Sequence, residues 1–175
     1  LGRWALDQAC GQLAQWRRDG VAVPAVAVNL SASNFHNLEL PALVAQTLER
    51  HELQPSYLIV ELTESTLLDN DSSTLQTIER LHAQGVRLSM DDFGTGYSSL
   101  SYLRRLPITE LKLDRSFVAD LEHAPVARAL SAAILGIGTS LGLKVVAEGV
   151  ENAAQKEILQ AQGYPVLQGY LFAKP

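Results

Sequence analysis

Apolar residues recur at helical spacing over positions 4–16, with Leu6, Ala9, Cys10, Leu13 and Trp16 on one face, and Asp19-Gly20 ends the pattern. Pro24 then opens Ala25-Val26-Ala27-Val28-Asn29-Leu30, a run of strand length rich in valine, and helical periodicity returns over 41–53. The alternation continues with a strand over 57–61, a helix over 71–84 closed by Gly85, a strand over 86–91, and a short helix over 98–106 stopped by Pro107. A strand over 109–113, a helix over 125–141, a strand over 144–147, a helix over 152–162 and a last strand over 164–168 complete the pattern. No linker, low-complexity segment or identity repeat interrupts it, so residues 1–175 read as one domain or most of one.

Strands alternating with helices at these separations predict βαβ units and a parallel sheet, either doubly wound or closed as a barrel. The predicted strand ends favour the barrel. Asn29, Glu61, Asp91 with Asp92, Lys112, Glu148 and Gln168 place polar groups at the C-terminal end of every strand. A (β/α)8 barrel draws its site from many strand ends, whereas a doubly wound sheet gathers ligands at one switch point. Side chains alternate faces along a strand, so Ala27 and Asn29 oppose Val28 and Leu30, while Glu110, Lys112 and Asp114 oppose Leu111 and Leu113. Asp92 has the wrong parity for this scheme. The chain must bend at Asp91-Asp92 if both carboxylates are to serve one site, and Gly94 and Gly96 make such a bend easy.

A hydrophobic fraction of 47% against 19% charged residues fits a globular domain with a substantial core. The net charge of -5 argues against a partner that is long nucleic acid, which calls for a basic face. It leaves a small phosphate ligand open, because bound cations reverse the local sign. Cys10 is the single cysteine and cannot form an internal disulfide, which points to a reducing, cytoplasmic setting. No apolar run reaches the roughly 18 residues of a membrane span.

The amide of Asn29 and the carboxylates of Glu61, Asp91, Asp92 and Glu148 form an all-oxygen donor set suited to Mg2+ or Mn2+. Two such ions would neutralise the carboxylates, activate water and clamp a phosphodiester, with Lys112 holding the water or the phosphate charge. The plainer alternative for each residue alone is a solvated rim. Of the other chemistry, the 4 histidines (His36, His51, His82 and His123) have no zinc-motif spacing and are expected to be exposed. Asp92-Phe93-Gly94 matches a kinase magnesium motif, but no glycine-rich phosphate loop or His-Arg-Asp loop accompanies it.

Six ordered runs complete the reading: Val28-Asn29-Leu30-Ser31-Ala32, Glu61-Leu62-Thr63-Glu64-Ser65, the ten residues from Asp91 to Leu100, Leu111-Lys112-Leu113-Asp114, Ala147-Glu148-Gly149-Val150-Glu151, and Gln168-Gly169-Tyr170-Leu171-Phe172. In order and wording they resemble the successive motifs of the EAL domain family of cyclic di-GMP phosphodiesterases. The resemblance implies a TIM-like (β/α)8 barrel that opens cyclic di-GMP to linear pGpG in bacterial signalling, with two Mg2+ or Mn2+ ions. It implies that Asn29, Glu61 and Asp91 bind the first metal and Asp92 the second. Lys112 and Glu148 act on the hydrolytic water, Gln168 orients the water network, and Glu64 anchors the loop that begins at Asp91. It also implies a homodimer, and it is compatible with a parent chain that carries sensory or GGDEF domains and a tether to the inner membrane.

The 175 residues contain no Glu-Ala-Leu triplet. The family's eight strands against six here lead us to expect that this motif, a substrate-binding arginine and two strands precede Leu1, and that the chain alone is inactive. The alternative is a receptor that binds cyclic di-GMP without hydrolysing it, or a protein-interaction module.

Overall fold

Helical periodicity sets the first element. In a computed structural model, which describes residues 2–68, 72–94 and 100–174, α1 (Gly2–Arg18) buries Leu6, Cys10, Leu13 and Ala14 as one stripe. Trp16 falls at the edge of that stripe and is exposed, with Ala14 buried in its place. The chain divides into two compact units, Leu1–Ser89 with Leu100–Ile108, and Met90–Ser99 with Thr109–Pro175.

In the first unit α1 packs on β1 (Val26–Asn29) and on α3 (Leu40–Arg50). The helix α3 stops short of its expected end because Glu52 takes a left-handed φ of 55°. A 3-10 turn, Pro55–Tyr57, leads into β2 (Leu58–Thr63), which pairs with β1 in parallel; α5 (Ser72–Ala83) and α6 (Leu100–Arg105) also belong here. One-turn helices α2 (Ala32–Phe35) and α4 (Ser65–Leu68) follow the two strands. Neither was expected, since a single turn is too short to display a period. His51 departs from the exposed role expected of it. It is half-buried, with Nε2 3.1 Å from Asp7 Oδ1, and Arg50 Nη1 lies 2.9 Å from the same oxygen, tying α3 to α1. The His51 hydrogen bond, helped by Arg50 and opposed by burial, holds Asp7 below the usual carboxylate range.

The strand β3 (Arg87–Phe93) runs from the first unit into the second. In the second unit come β4 (Glu110–Leu113), α7 (Arg115–Ala119), α8 (Pro125–Ser140), β5 (Lys144–Ala147), α9 (Ala153–Gln162) and β6 (Val166–Leu167). Parallel pairing joins β4 to β5 and β5 to β6. Hydrogen-bonded strands follow one another in chain order from β1 to β6, the order of a barrel wall, without the reversal that defines a doubly wound sheet. Side chains on both faces of β4 are buried, as parallel strands covered on both sides require. The expected helix start at Asp71, the residues 98–99 and Gly96 lie outside the described residues. Among the described residues no helix is long and apolar enough to cross a membrane.

Candidate active site

In the first unit, parallel register sets Asn29 directly beside Glu61 on adjacent strands, and the Leu30 amide donates to the Glu61 carbonyl at 3.1 Å. Val28 and Leu30 are buried while Ala27 and Asn29 are exposed, the alternation that the sequence predicts for β1. Asn29 closes β1, whereas Glu61 lies inside β2, two residues before its end. Its carboxylate and that of Glu64 are both buried, unusual for glutamate without partners, and each takes part in further polar interactions. Glu64 immediately precedes α4 and accepts the Leu67 amide on its carbonyl at 3.0 Å. Part of the loop it is expected to anchor, 95–99, lies outside the described residues.

The second unit brings Asp91, Lys112 and Glu148 together. Lys112, buried to 5% exposure, places Nζ 2.6 Å from Glu148 Oε1 and 3.8 Å from Asp91 Oδ2. Asp91 and Lys112 reach this cluster from within β3 and β4, and Glu148 from the first position after β5, where its amide donates to the Leu113 carbonyl at 3.2 Å. The bend expected at Asp91-Asp92 takes a definite form: Asp92 has a φ of 56°, and its amide donates to Asp91 Oδ1 at 2.9 Å. The bend is thus made at Asp92 itself, inside β3.

The structure adds Asp114. It caps α7 by accepting the Ser116 amide at 2.9 Å, and its carboxylate interacts with that of Asp92. Burial and the neighbouring Asp91 and Asp114 carboxylates raise the Asp92 pKa above its ordinary value, against the pull of Lys112. Burial pushes Asp114 the same way, but bonds from Ser116, Arg115 and Asp92 outweigh it and hold Asp114 low. Strand parity placed Asp114 on the same face as Lys112, which was the signal available for it.

Gln168 follows β6 and is exposed; its amide donates to the Ala147 carbonyl at 2.8 Å, and its carbonyl accepts the Val150 amide at 3.0 Å. The segments after β5 and β6 are therefore stitched together. Gly169 permits this, because a Cβ there would lie 2.2 Å from the Val150 carbonyl oxygen. Glu148 and Gln168 share the wall of an open cavity of about 200 Å3 with Arg115, Glu151 and Tyr170. Sequence reasoning did not single out Arg115 or Tyr170 for a role.

Every donor in the expected metal set is an oxygen, the chemistry that Mg2+, Mn2+ or Ca2+ prefers. Among the described residues, no three His, Cys, Asp or Glu side chains already converge in metal-holding geometry. In the second unit the charge beside Asp91 and Glu148 is the Lys112 ammonium.

The family model described as EAL domain matches residues 1–175. The chain is 49% identical over 175 residues to the bifunctional diguanylate cyclase/cyclic di-GMP phosphodiesterase MucR of Pseudomonas aeruginosa, covering 100% of this chain and 26% of that protein. It superposes on the solved PaMucR phosphodiesterase, c-di-GMP complex, with a TM-score of 0.94 and 49% identity over 99% of this chain and 70% of that one. A manganese/cy-diGMP complex of BlrP1 from Klebsiella pneumoniae gives a TM-score of 0.87 at 29% identity, over 99% of this chain and 44% of that one. The chain spans about a quarter of the length of the curated relatives it matches.

Proposed function

Because the chain belongs to the EAL domain family, we propose that it forms the greater part of a phosphodiesterase domain that hydrolyses cyclic di-GMP to linear pGpG. The observation that carries this reading is the buried Lys112 ammonium set against Glu148 and Asp91, an arrangement a simple solvated rim does not need. Identity of 49% to a protein named as a cyclic di-GMP phosphodiesterase gives independent support.

Asn29, Glu61 and Asp91 would hold one Mg2+ or Mn2+ ion and Asp92 a second, with Glu148 close by. When bound, these cations supply Lewis-acid polarisation of water and phosphodiester. The protein's own groups then divide the work. The Glu148 carboxylate accepts a proton from water as its oxygen attacks phosphorus, and the bond from phosphorus to the ribose O3′ breaks. A proton passes to that departing oxygen, leaving a free 3′-hydroxyl on one nucleotide and a 5′-phosphate on the other. Lys112 holds Glu148 in orientation beforehand and offers its charge to the phosphate as negative charge accumulates. The Gln168 amide holds the water through its donor and acceptor ends. Glu64 anchors the loop that begins at Asp91. We place the reaction in the cytoplasm, within a homodimer, in a parent chain carrying sensory or GGDEF domains.

The test uses the full-length protein. Linear pGpG should form from cyclic di-GMP with Mg2+ or Mn2+, stop with chelator, and fall by at least about a hundredfold in Asp91→Asn. Calorimetry should find metal affinity weakened in Asp91→Ala. Cyclic di-GMP binding without turnover in the wild type would replace the enzyme by a receptor, and undiminished metal affinity in Asp91→Ala would remove Asp91 from the ligand set.

A further inference from the structure

Glu148 is the first residue past β5, so the strand fixes its backbone on one side only, through the amide bond to the Leu113 carbonyl at 3.2 Å. On the other side the chain leaves through Gly149, whose φ of 71° lies in the left-handed region. Val150, fully buried, follows. Its amide donates to the Gln168 carbonyl at 3.0 Å, and its carbonyl accepts the Leu171 amide at 3.0 Å, so these bonds join one loop to another. The Glu151 amide is different, because it donates to a side chain, Gln155 Oε1, at 2.8 Å. Gln155 lies in the first turn of α9 and is 5% exposed, although glutamine is mostly a surface residue. Its own amide donates to Asn152 Oδ1 at 2.9 Å, and Asn152 Nδ2 donates to Glu122 Oε1 at 2.7 Å, in the turn between α7 and α8. The start of α9 is thereby held in place, and Gln155 reaches back from it to grip the loop that carries Glu148.

We infer that Gln155 is a positioning residue for Glu148 in the hydrolysis; this rests on the cyclic di-GMP reading above. Simple helix capping is the competing account. In a capping box the side chain at the third helical position bonds the amide of the cap residue itself. Gln155 is the third residue of α9, yet it takes the amide of Glu151, one residue before the cap, while Asn152 supplies the cap. The bond therefore serves the loop more than the helix. Of the bonds made by Val150 and Glu151, it is the one that ties the two stitched loops to a helix. Without it the loops can shift together about Gly149, since glycine tolerates more backbone conformations than any other residue. Such a shift carries the Glu148 carboxylate away from its 2.6 Å contact with Lys112 Nζ. A misplacement on the order of 1 Å at a reacting group costs about a hundredfold in rate. Substrate binding is spread over more groups and is less sensitive to the setting of one.

Three substitutions in the full-length protein test this. Gln155→Leu keeps the volume and removes the acceptor, Gln155→Asn keeps the acceptor but is one methylene too short, and Gln155→Glu keeps both reach and acceptor. The first two should lower kcat for cyclic di-GMP by about tenfold to a hundredfold with KM within about threefold of wild type. Gln155→Glu should stay within about threefold of the wild-type kcat, because a glutamate is equally able to accept an amide at this position. Hydrogen exchange in peptides spanning 148–152, read by mass spectrometry, should quicken by about tenfold in the Leu and Asn variants and not in Gln155→Glu. Tyr164→Phe loosens the other end of α9 and controls for destabilisation alone; its kcat and its exchange over 148–152 should match wild type. Melting curves check folding, and Gln155→Asn carries the test if Gln155→Leu does not fold. An unchanged exchange rate in both variants overturns the anchor. A kcat loss that Gln155→Glu does not restore, or that Tyr164→Phe equals, overturns the positioning role. Wild-type protein without turnover overturns the phosphodiesterase reading and this role with it, whereas turnover that survives both Gln155→Leu and Gln155→Asn removes the role alone.

Discussion

Lys112 sits where a small error in charge balance is costly. Its ammonium is buried with two carboxylates, and removing one member of a buried ion pair leaves the others uncompensated, at a cost of about 3–5 kcal/mol. A purely structural lysine and a catalytic one both predict a loss of stability in Lys112→Met, so stability does not discriminate between them. Turnover does. We expect kcat in the full-length protein to fall by about a hundredfold to a thousandfold while cyclic di-GMP binding weakens far less, because the charge acts as the phosphate accumulates negative charge. Steady-state kinetics beside a melting curve read both quantities, and retained kcat with a lowered melting temperature would make Lys112 structural. Asp92 is the second residue on which local geometry turns. Its left-handed backbone costs aspartate less than it costs most residues, so the change in direction within β3 needs no glycine at that position.

Among elements, α8, α9 and the segment leading into β6 meet through a small polar network. The Tyr164 hydroxyl donates to the Ser131 carbonyl at 2.8 Å, and Ser131 Oγ donates to Gln162 Oε1 at 2.7 Å. Burial raises the Tyr164 pKa above its ordinary value of 10.0. The sign follows from linkage: the unfolded chain loses this proton first, so the contribution is fully present below the unfolded value and is lost as pH rises toward the folded one. Tyr164→Phe should cost about 1 kcal/mol at neutral pH through the lost bond. It should also make the decline in stability between about pH 9 and pH 11 shallower. Denaturant titrations across that range check it, and an unchanged alkaline slope would show that Tyr164 does not control it. Elements of three or more turns and the strands themselves were legible in the sequence, because β-branched runs and helical stripes carry a period. The strand β5 matches its expected bounds, whereas β2 runs two residues past Glu61, its expected end, and the register that sets Asn29 beside Glu61 appears only in the structure. The one-turn helices α2, α4 and α7 have no period to read. The cavity wall at Arg115 and Tyr170 depends on the stitching of two loops, which residues far apart in the sequence do not announce.

At the scale of the whole molecule, the question is whether these 175 residues are sufficient for hydrolysis. Asn29, Glu61, Asp91, Asp92, Lys112, Glu148 and Gln168 are all present, yet the sequence contains no Glu-Ala-Leu triplet, whose glutamate the family resemblance makes a further metal carboxylate. Groups that neutralise charge and orient one phosphate act as a unit, so the remainder does not retain a proportionate share of the rate when one is lost. We expect the 175-residue polypeptide alone to form pGpG at least about a hundredfold more slowly than a full-length protein carrying the Glu-Ala-Leu segment. Changing that glutamate to alanine in the full-length protein should preserve the melting transition and still leave turnover near that of the short polypeptide. The three proteins are compared at equal concentration under Mg2+ and Mn2+, with folding followed by circular dichroism. Comparable turnover in all three would mean that the groups within this chain suffice and that the Glu-Ala-Leu glutamate is dispensable for the metal site. Low turnover in the short polypeptide together with a lost melting transition would assign the defect to folding, and the glutamate variant, folded and slow, is what assigns it to chemistry.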